Sequence, residues 1–351
     1  MSDSDVTSHG AEGERPGRQA LTGQGTGRRR RRGRRGEQPV VPEARFSSYY
    51  GRPVLNKPTW EPLDIAGYLY LGGLAGASSL LAAGAHLGGR TSLARVTKLG
   101  AFGAISVSLG ALVHDLGRPA RFVNMLRIFK PTSPMNLGSW LLAAYAPLTS
   151  VAAATDVTGR LPRAGTAATA GAAVLAPAVA TYTAVLLSDT AVPSWHEAYR
   201  QLPFVFAGSA ATAGAGLALA AADPAETRPA RRLAALGAVL ELGCAQLMKR
   251  RIGLAAEPFE QGRPHRLMRI AELLTTGGAL LAWRSGGRNR AVPAVAGAAL
   301  LTGSAALRFA VFHAGVASAE DPRYTVLPQR ERLEERTRSG GAGRHGEQPQ
   351  A

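Results

Sequence analysis

The chain has 351 residues, 42 of them glycine and 22 proline; 46% are hydrophobic, only 6% are aromatic, and the formal net charge is +17. A single cysteine, Cys244, excludes an intrachain disulfide framework, an all-cysteine zinc site and a protein-held iron–sulfur cluster. Charge is uneven: residues 1–45 carry ten arginines against six acids and residues 319–351 six against six, so 46–318 keep 25 basic and 12 acidic residues, mostly between long apolar stretches. That pattern argues against a soluble enzyme and for an all-α integral membrane protein with polar tails.

Residues 1–45 hold almost no large apolar side chain and read as a disordered tail. Their run Arg28-Arg29-Arg30-Arg31-Arg32-Gly33-Arg34-Arg35 suits anionic lipid or nucleic acid, or simply a solvated segment that helps to fix topology. No apolar stretch with a cleavage site follows, so it is no twin-arginine export signal. Residues 319–351 read as a second mobile tail.

Between the tails, eight stretches approach the roughly 20 residues that cross a bilayer. They fall at 63–87, 97–115, 136–157, 166–187, 203–222, 232–248, 268–284 and 291–314. The fourth is built largely of Ala, Gly and Thr, which gain little on transfer to lipid but let helices approach closely, as do Gly72 and Gly76 in the first and Gly208, Gly214 and Gly216 in the fifth. With the N-terminus cytoplasmic, the inner segments hold 13 Lys and Arg and the outer loops 11; the Arg-rich tail tips the balance toward both termini inside a cell membrane.

Ionisable side chains within a hydrocarbon core are costly and usually functional. Alternating spans bring one set to a single membrane face: Asp64 and Tyr68 at the start of the first, His114 and Asp115 at the end of the second, Asn136 and Trp140 at the start of the third, Tyr182 late in the fourth, with Trp195 and His196 in the following loop. Phenol, imidazole and carboxyl groups at the end of a lipid-accessible bundle can donate hydrogen bonds to a ligand carbonyl and move protons, which quinone–quinol exchange requires. The plainer readings are an interfacial aromatic belt for Tyr68, Trp140 and Trp195, and a structural ion pair between Asp115 and Arg118. A second set, Glu241, Glu272, Arg308 and His313, lies in the last three stretches, where Glu241 and Arg308 are candidates for a buried pair and, with Glu272, for a proton relay. Haem ligation would need paired membrane histidines, and His86 lies at the opposite face from His114 and His313.

Residues 115–140 contain Asp115-Leu116-Gly117-Arg118-Pro119, Phe122, Met125-Leu126-Arg127, Ser133-Pro134-Met135-Asn136 and Gly138-Ser139-Trp140. Elsewhere stand Trp60 before Tyr68-Leu69-Tyr70-Leu71-Gly72-Gly73-Leu74-Ala75-Gly76, and Tyr182-Thr183 with Leu186-Leu187-Ser188, Pro193, Trp195 and Leu202-Pro203. Over about 46–318 the chain thereby resembles the NrfD/polysulfide-reductase family of membrane subunits, and Tyr49-Tyr50-Gly51-Arg52-Pro53 resembles actinobacterial members found beside formate-dehydrogenase-like proteins.

The resemblance implies eight transmembrane helices in two four-helix bundles, without haem or iron–sulfur cluster in this chain. It implies electron exchange between a quinone pool, menaquinone in an actinobacterium, and an iron–sulfur subunit that serves a molybdopterin catalytic subunit. Alone, such a subunit is inactive. The family's quinone pocket lies in the first bundle, and Tyr182 matches its quinone-binding tyrosine. The family's helix-1 His and Asn positions are occupied here by Tyr68 and Ile65, with Asp64 adjacent. His114 and Asp115 are candidate proton donors, Asn136 and Trp140 further pocket residues, and Arg118 a loop-ordering residue. Arg118, Arg121, Arg127 and Lys130 would face an acidic partner. The alternative reading is a secondary transporter or proton channel using Glu241, Glu272 and Arg308, although the interrupted helices of such folds are not evident.

Overall fold

The computed structural model describes residues 6–7, 10–11, 54–55, 58, 60–117, 120–285 and 289–342. The Arg28–Arg35 run, the Tyr49–Pro53 segment and Arg118 lie outside the described residues. Contacts divide the chain into Thr59–Val316 and a second unit formed by Met1–Pro58 and Ala317–Ala351.

In the larger unit the helices are α1 (Pro62–Leu87), α2 (Thr91–Asp115), the short α3 (Ala120–Met125), α4 (Pro134–Thr158), α5 (Pro162–Ser188), the short α6 (Pro193–His196), α7 (Leu202–Ala221), α8 (Arg228–Arg251), α9 (Gly262–Arg284) and α10 (Ala291–Glu320), which runs on past Val316. Each of the eight long helices matches one of the expected stretches, α7 ending one residue short at Ala221. Six of them, α1, α2, α4, α5, α7 and α10, are long and apolar enough to cross a membrane. α8 and α9 fall short because Arg228, Arg231, Arg232, Lys249, Arg250 and Arg251 crowd the ends of one, and Arg263, Arg266, Arg269 and Glu272 the first half of the other.

Local chemistry sets the ends. α4 begins at Ser133, whose hydroxyl caps the Asn136 N–H at 3.5 Å, with Pro134 in the first turn, and it stops at Gly159, whose φ of 65° ends the helix in the left-handed region. The first four long helices, α1, α2, α4 and α5, pack together; α7 sits against α1 and α5 and pairs closely with α8. Gly278 on α9 meets Leu300 on α10, and Gly297 on α10 meets Gly216 on α7, closing the second group of four. Contact through small residues replaces hydrophobic drive, since lipid tails are as apolar as leucine.

The core shared by α1, the start of α2 and α7–α10 is mostly alanine with Leu81, Leu93, Leu219 and Leu300. The same group of helices also buries a carboxylate and a guanidinium. Glu241 is 1% exposed and accepts from Thr212 Oγ1 at 3.1 Å and Thr275 Oγ1 at 2.9 Å. Arg308 is fully buried, lies 3.6 Å over the Phe206 ring and donates to the Phe206 carbonyl at 2.9 Å.

In the second unit, Arg323–Ala342 form a helix, α11. Its Arg, Glu, Leu and Gln are all strong helix formers, a preference that the low apolar content of the segment concealed.

Candidate functional site

Antiparallel packing brings the first turns of α1 and α4 beside the last turns of α2 and α5, and a cavity of about 120 Å³ opens between them. Its walls are apolar, with Trp60, Ile65, Leu69, Leu112, Leu142 and Leu186 among them; Tyr68, Tyr182, Asp115 and Ser139 supply the polar atoms. Tyr68 is 4% exposed, so it belongs to the pocket and not to an interfacial belt. Its phenol hydrogen-bonds the Tyr182 phenol, and the rings meet edge to face with centroids 6.3 Å apart. Two phenols so paired use one O–H between them and leave the other free to donate into the cavity.

The Tyr182 ring is seated on Gly138. A Cβ at that position would stand 2.7 Å from Tyr182 Cε2 and 3.0 Å from Cδ2, closer than packing allows. Gly138→Ala is therefore expected to displace the ring and weaken ligand binding severalfold with both phenols retained, as read by titration against wild type. Wild-type affinity in that variant would show the ring free to relocate.

Asp64 and His114 meet at the rim: His114 Nδ1 lies 2.6 Å from Asp64 Oδ2, with the imidazole largely exposed. His114 thus stands outside the cavity, while half-buried Asp115 lines it. Asn136 is committed elsewhere. Its amide donates to the Met125 and Ile128 carbonyls, both at 2.8 Å, and its oxygen accepts the Lys130 N–H at 2.6 Å, so it orders the turn between α3 and α4. Trp140, 39% exposed, donates to the Ile128 carbonyl at 3.3 Å and does not line the cavity, in keeping with an interfacial tryptophan.

Trp195 departs from the belt reading. It is fully buried, donates to the Val311 carbonyl at 2.8 Å and stacks on Trp60 with centroids 5.9 Å apart, thereby buttressing the pocket wall from behind. His196 Nδ1–H donates to the Ser188 carbonyl oxygen at 3.1 Å, fixing the α5–α6 turn. Sequence reasoning missed Trp60, Ser139 and Met125 as pocket residues, although all three lie in or beside the motifs quoted above.

The second polar set does not form one chain. Glu272 bonds Lys249 at 2.9 Å and Gln246 at 3.2 Å, Glu241 is held by its two threonines, and among the described residues no ion pair joins Glu241 to Arg308. The hydrogen bonds to the Glu241 carboxylate come from Thr212 and Thr275, so its oxygens are satisfied without direct contact with the Arg308 guanidinium. Among the described residues no three His, Cys, Asp or Glu side chains gather as a metal site.

These features define a multi-pass helical membrane protein with a buried polar pocket at one end of its first four long helices. A family model described as polysulphide reductase, NrfD, matches residues 55–318, and the chain belongs to that family. It is accordingly a membrane subunit of a polysulphide-reductase-like oxidoreductase. No curated protein matches the chain.

Proposed function

We propose that this subunit exchanges electrons between the quinone pool, menaquinone by preference, and a partner iron–sulfur subunit that serves a molybdopterin enzyme of the formate-dehydrogenase-like kind. The carrying observation is the Tyr68–Tyr182 phenol pair inside an otherwise apolar cavity at the bundle end. Reducing a quinone takes two electrons and two protons, one proton to each carbonyl oxygen, and oxidising a quinol returns them. The electrons come from the partner's cluster.

Within this chain, the apolar walls hold the ring and exclude bulk water, and the free phenol O–H donates to one carbonyl. Half-buried Asp115 is the candidate group to carry protons between the cavity and the rim, where Asp64 and His114 meet solvent. Above the cavity the α2–α4 connection exposes Arg121, Arg127 and Lys130 together with Ile128 and Phe129, a mixed basic and apolar surface suited to an acidic partner. With the N-terminus cytoplasmic, the partner docks in the cytoplasm.

The test is purification of the protein from its native membrane, followed by titration with a quinol analogue and detection of tryptophan quenching. An iron–sulfur protein should co-purify, and quenching should saturate, since Trp60 lines the cavity. Absence of both results would return the chain to the transporter or channel reading.

A further inference from the structure

At the end of the bundle opposite the tyrosines, the last turns of α1 and the first turns of α8 diverge and leave an open groove of about 490 Å³. Its floor and walls are apolar: Leu80 on α1 is 44% exposed and Leu236 on α8 is 70% exposed, with Leu233 half-buried one turn before Leu236. Its mouth is ringed by Arg90, Arg228 and Arg232. Among the described residues none of these three guanidinium groups has a carboxylate within ion-pair distance. The nearby acids are engaged with backbone: Glu226 accepts the Leu93 N–H at 2.9 Å and Asp223 accepts the Ala225 N–H at 3.0 Å.

Three cations that lack an ion-pair partner among the described residues stand at one helix-end level, and the exposed leucines beside them lie on the bundle's outer surface. One class of molecule answers both features, an anion at headgroup depth with an acyl chain attached. We propose that this groove binds an anionic phospholipid, its phosphate held by Arg90, Arg228 and Arg232 and one acyl chain laid along Leu80, Leu233 and Leu236. The arginine fork matches phosphate oxygens in pairs, which a zwitterionic headgroup, carrying its own cation, offers less well. Since α1 begins at the tyrosine pocket and ends at this groove, the bound lipid would also brace the far end of the helix that carries Tyr68.

The test is native mass spectrometry of the full-length protein, delipidated in detergent and titrated with dioleoyl-phosphatidylglycerol or dioleoyl-phosphatidylcholine. The first adduct should form at least tenfold more readily with phosphatidylglycerol, each arginine contributing about fivefold before salt screening. Replacing all three by Gln should erase the preference, whereas Arg250→Gln, Arg251→Gln and Arg266→Gln together should preserve it. Should the triple variant not fold, Arg228→Gln alone, at an exposed position, should cost about fivefold. Leu236→Trp should weaken adducts of both lipids by filling the groove with the cations intact. Equal binding of the two lipids, an unchanged preference in the arginine variants, or full displacement of phosphatidylglycerol by millimolar inorganic phosphate would each overturn the proposal.

Discussion

Tyr182→Phe is expected to weaken binding of a quinol analogue about tenfold while leaving the helices assembled. The substitution keeps the ring that packs on Gly138 and removes only the hydroxyl, so the fold has no reason to shift. What is lost depends on the direction of the phenol pair. If Tyr182 is the terminal donor, its O–H reaches the ligand carbonyl and Tyr68 donates behind it, polarising it further. Tyr182→Phe then removes both the direct bond and its support, and Tyr68→Phe removes only the support, at a cost of about twofold.

Were Tyr68 the terminal donor, the two costs would exchange. A double-mutant cycle over the pair distinguishes the cases, and strong coupling is expected because the hydroxyls bond each other. Wild-type affinity in Tyr182→Phe would remove that residue from the ligand's contacts. Equal, small losses in both single variants would mean that the phenols serve packing alone.

The convergence of Asp64, Tyr68, Asp115 and Tyr182 was legible without coordinates, because it follows from alternation: successive antiparallel spans must return odd starts and even ends to the same face. The helix positions were legible for the same reason, and the errors fall where charge interrupts an apolar count. The expected 232–248 is a helix over Arg228–Arg251, and 268–284 begins at Gly262, because arginines at helix ends can extend toward water without ending the backbone hydrogen bonds.

Side-chain direction was not legible. Asn136 stands at the start of α4 beside the pocket, yet three backbone groups of the preceding turn claim its carboxamide. Trp195 sits in a helix-end loop, where an interfacial ring is the ordinary outcome, but α10 supplies a carbonyl acceptor and Trp60 a stacking face. The choice at Trp195 depends on neighbours more than a hundred residues away. The fate of Glu241 likewise turned on two threonines on different helices, Thr212 and Thr275, which no local pattern connects to it.

That same carboxylate makes Gly208 the position where a single substitution should cost most. The backbones of α7 and α8 touch here: a Cβ at Gly208 would stand 2.8 Å from Glu241 Cα and 2.8 Å from the Gly237 carbonyl oxygen. These are backbone atoms, so relief requires moving a helix and not a rotamer. Parting α7 from α8 also draws Thr212 away from Glu241 and leaves a buried carboxylate short of a donor, adding a desolvation penalty to the steric one. Gly208→Ala is therefore expected to cost about 2 kcal/mol and to lower the melting temperature in detergent by about 5 °C. Gly208→Leu should leave no folded monomer by size-exclusion chromatography. Gly243→Ala, where a Cβ meets nothing within 4 Å, provides the control and should match wild type. Glu241→Gln, which can still accept from the threonines, should recover part of the Gly208→Ala loss if the carboxylate carries the second penalty, and none of it if the cost is steric alone. An unchanged melting temperature in Gly208→Ala would show that α7 and α8 are not in backbone contact.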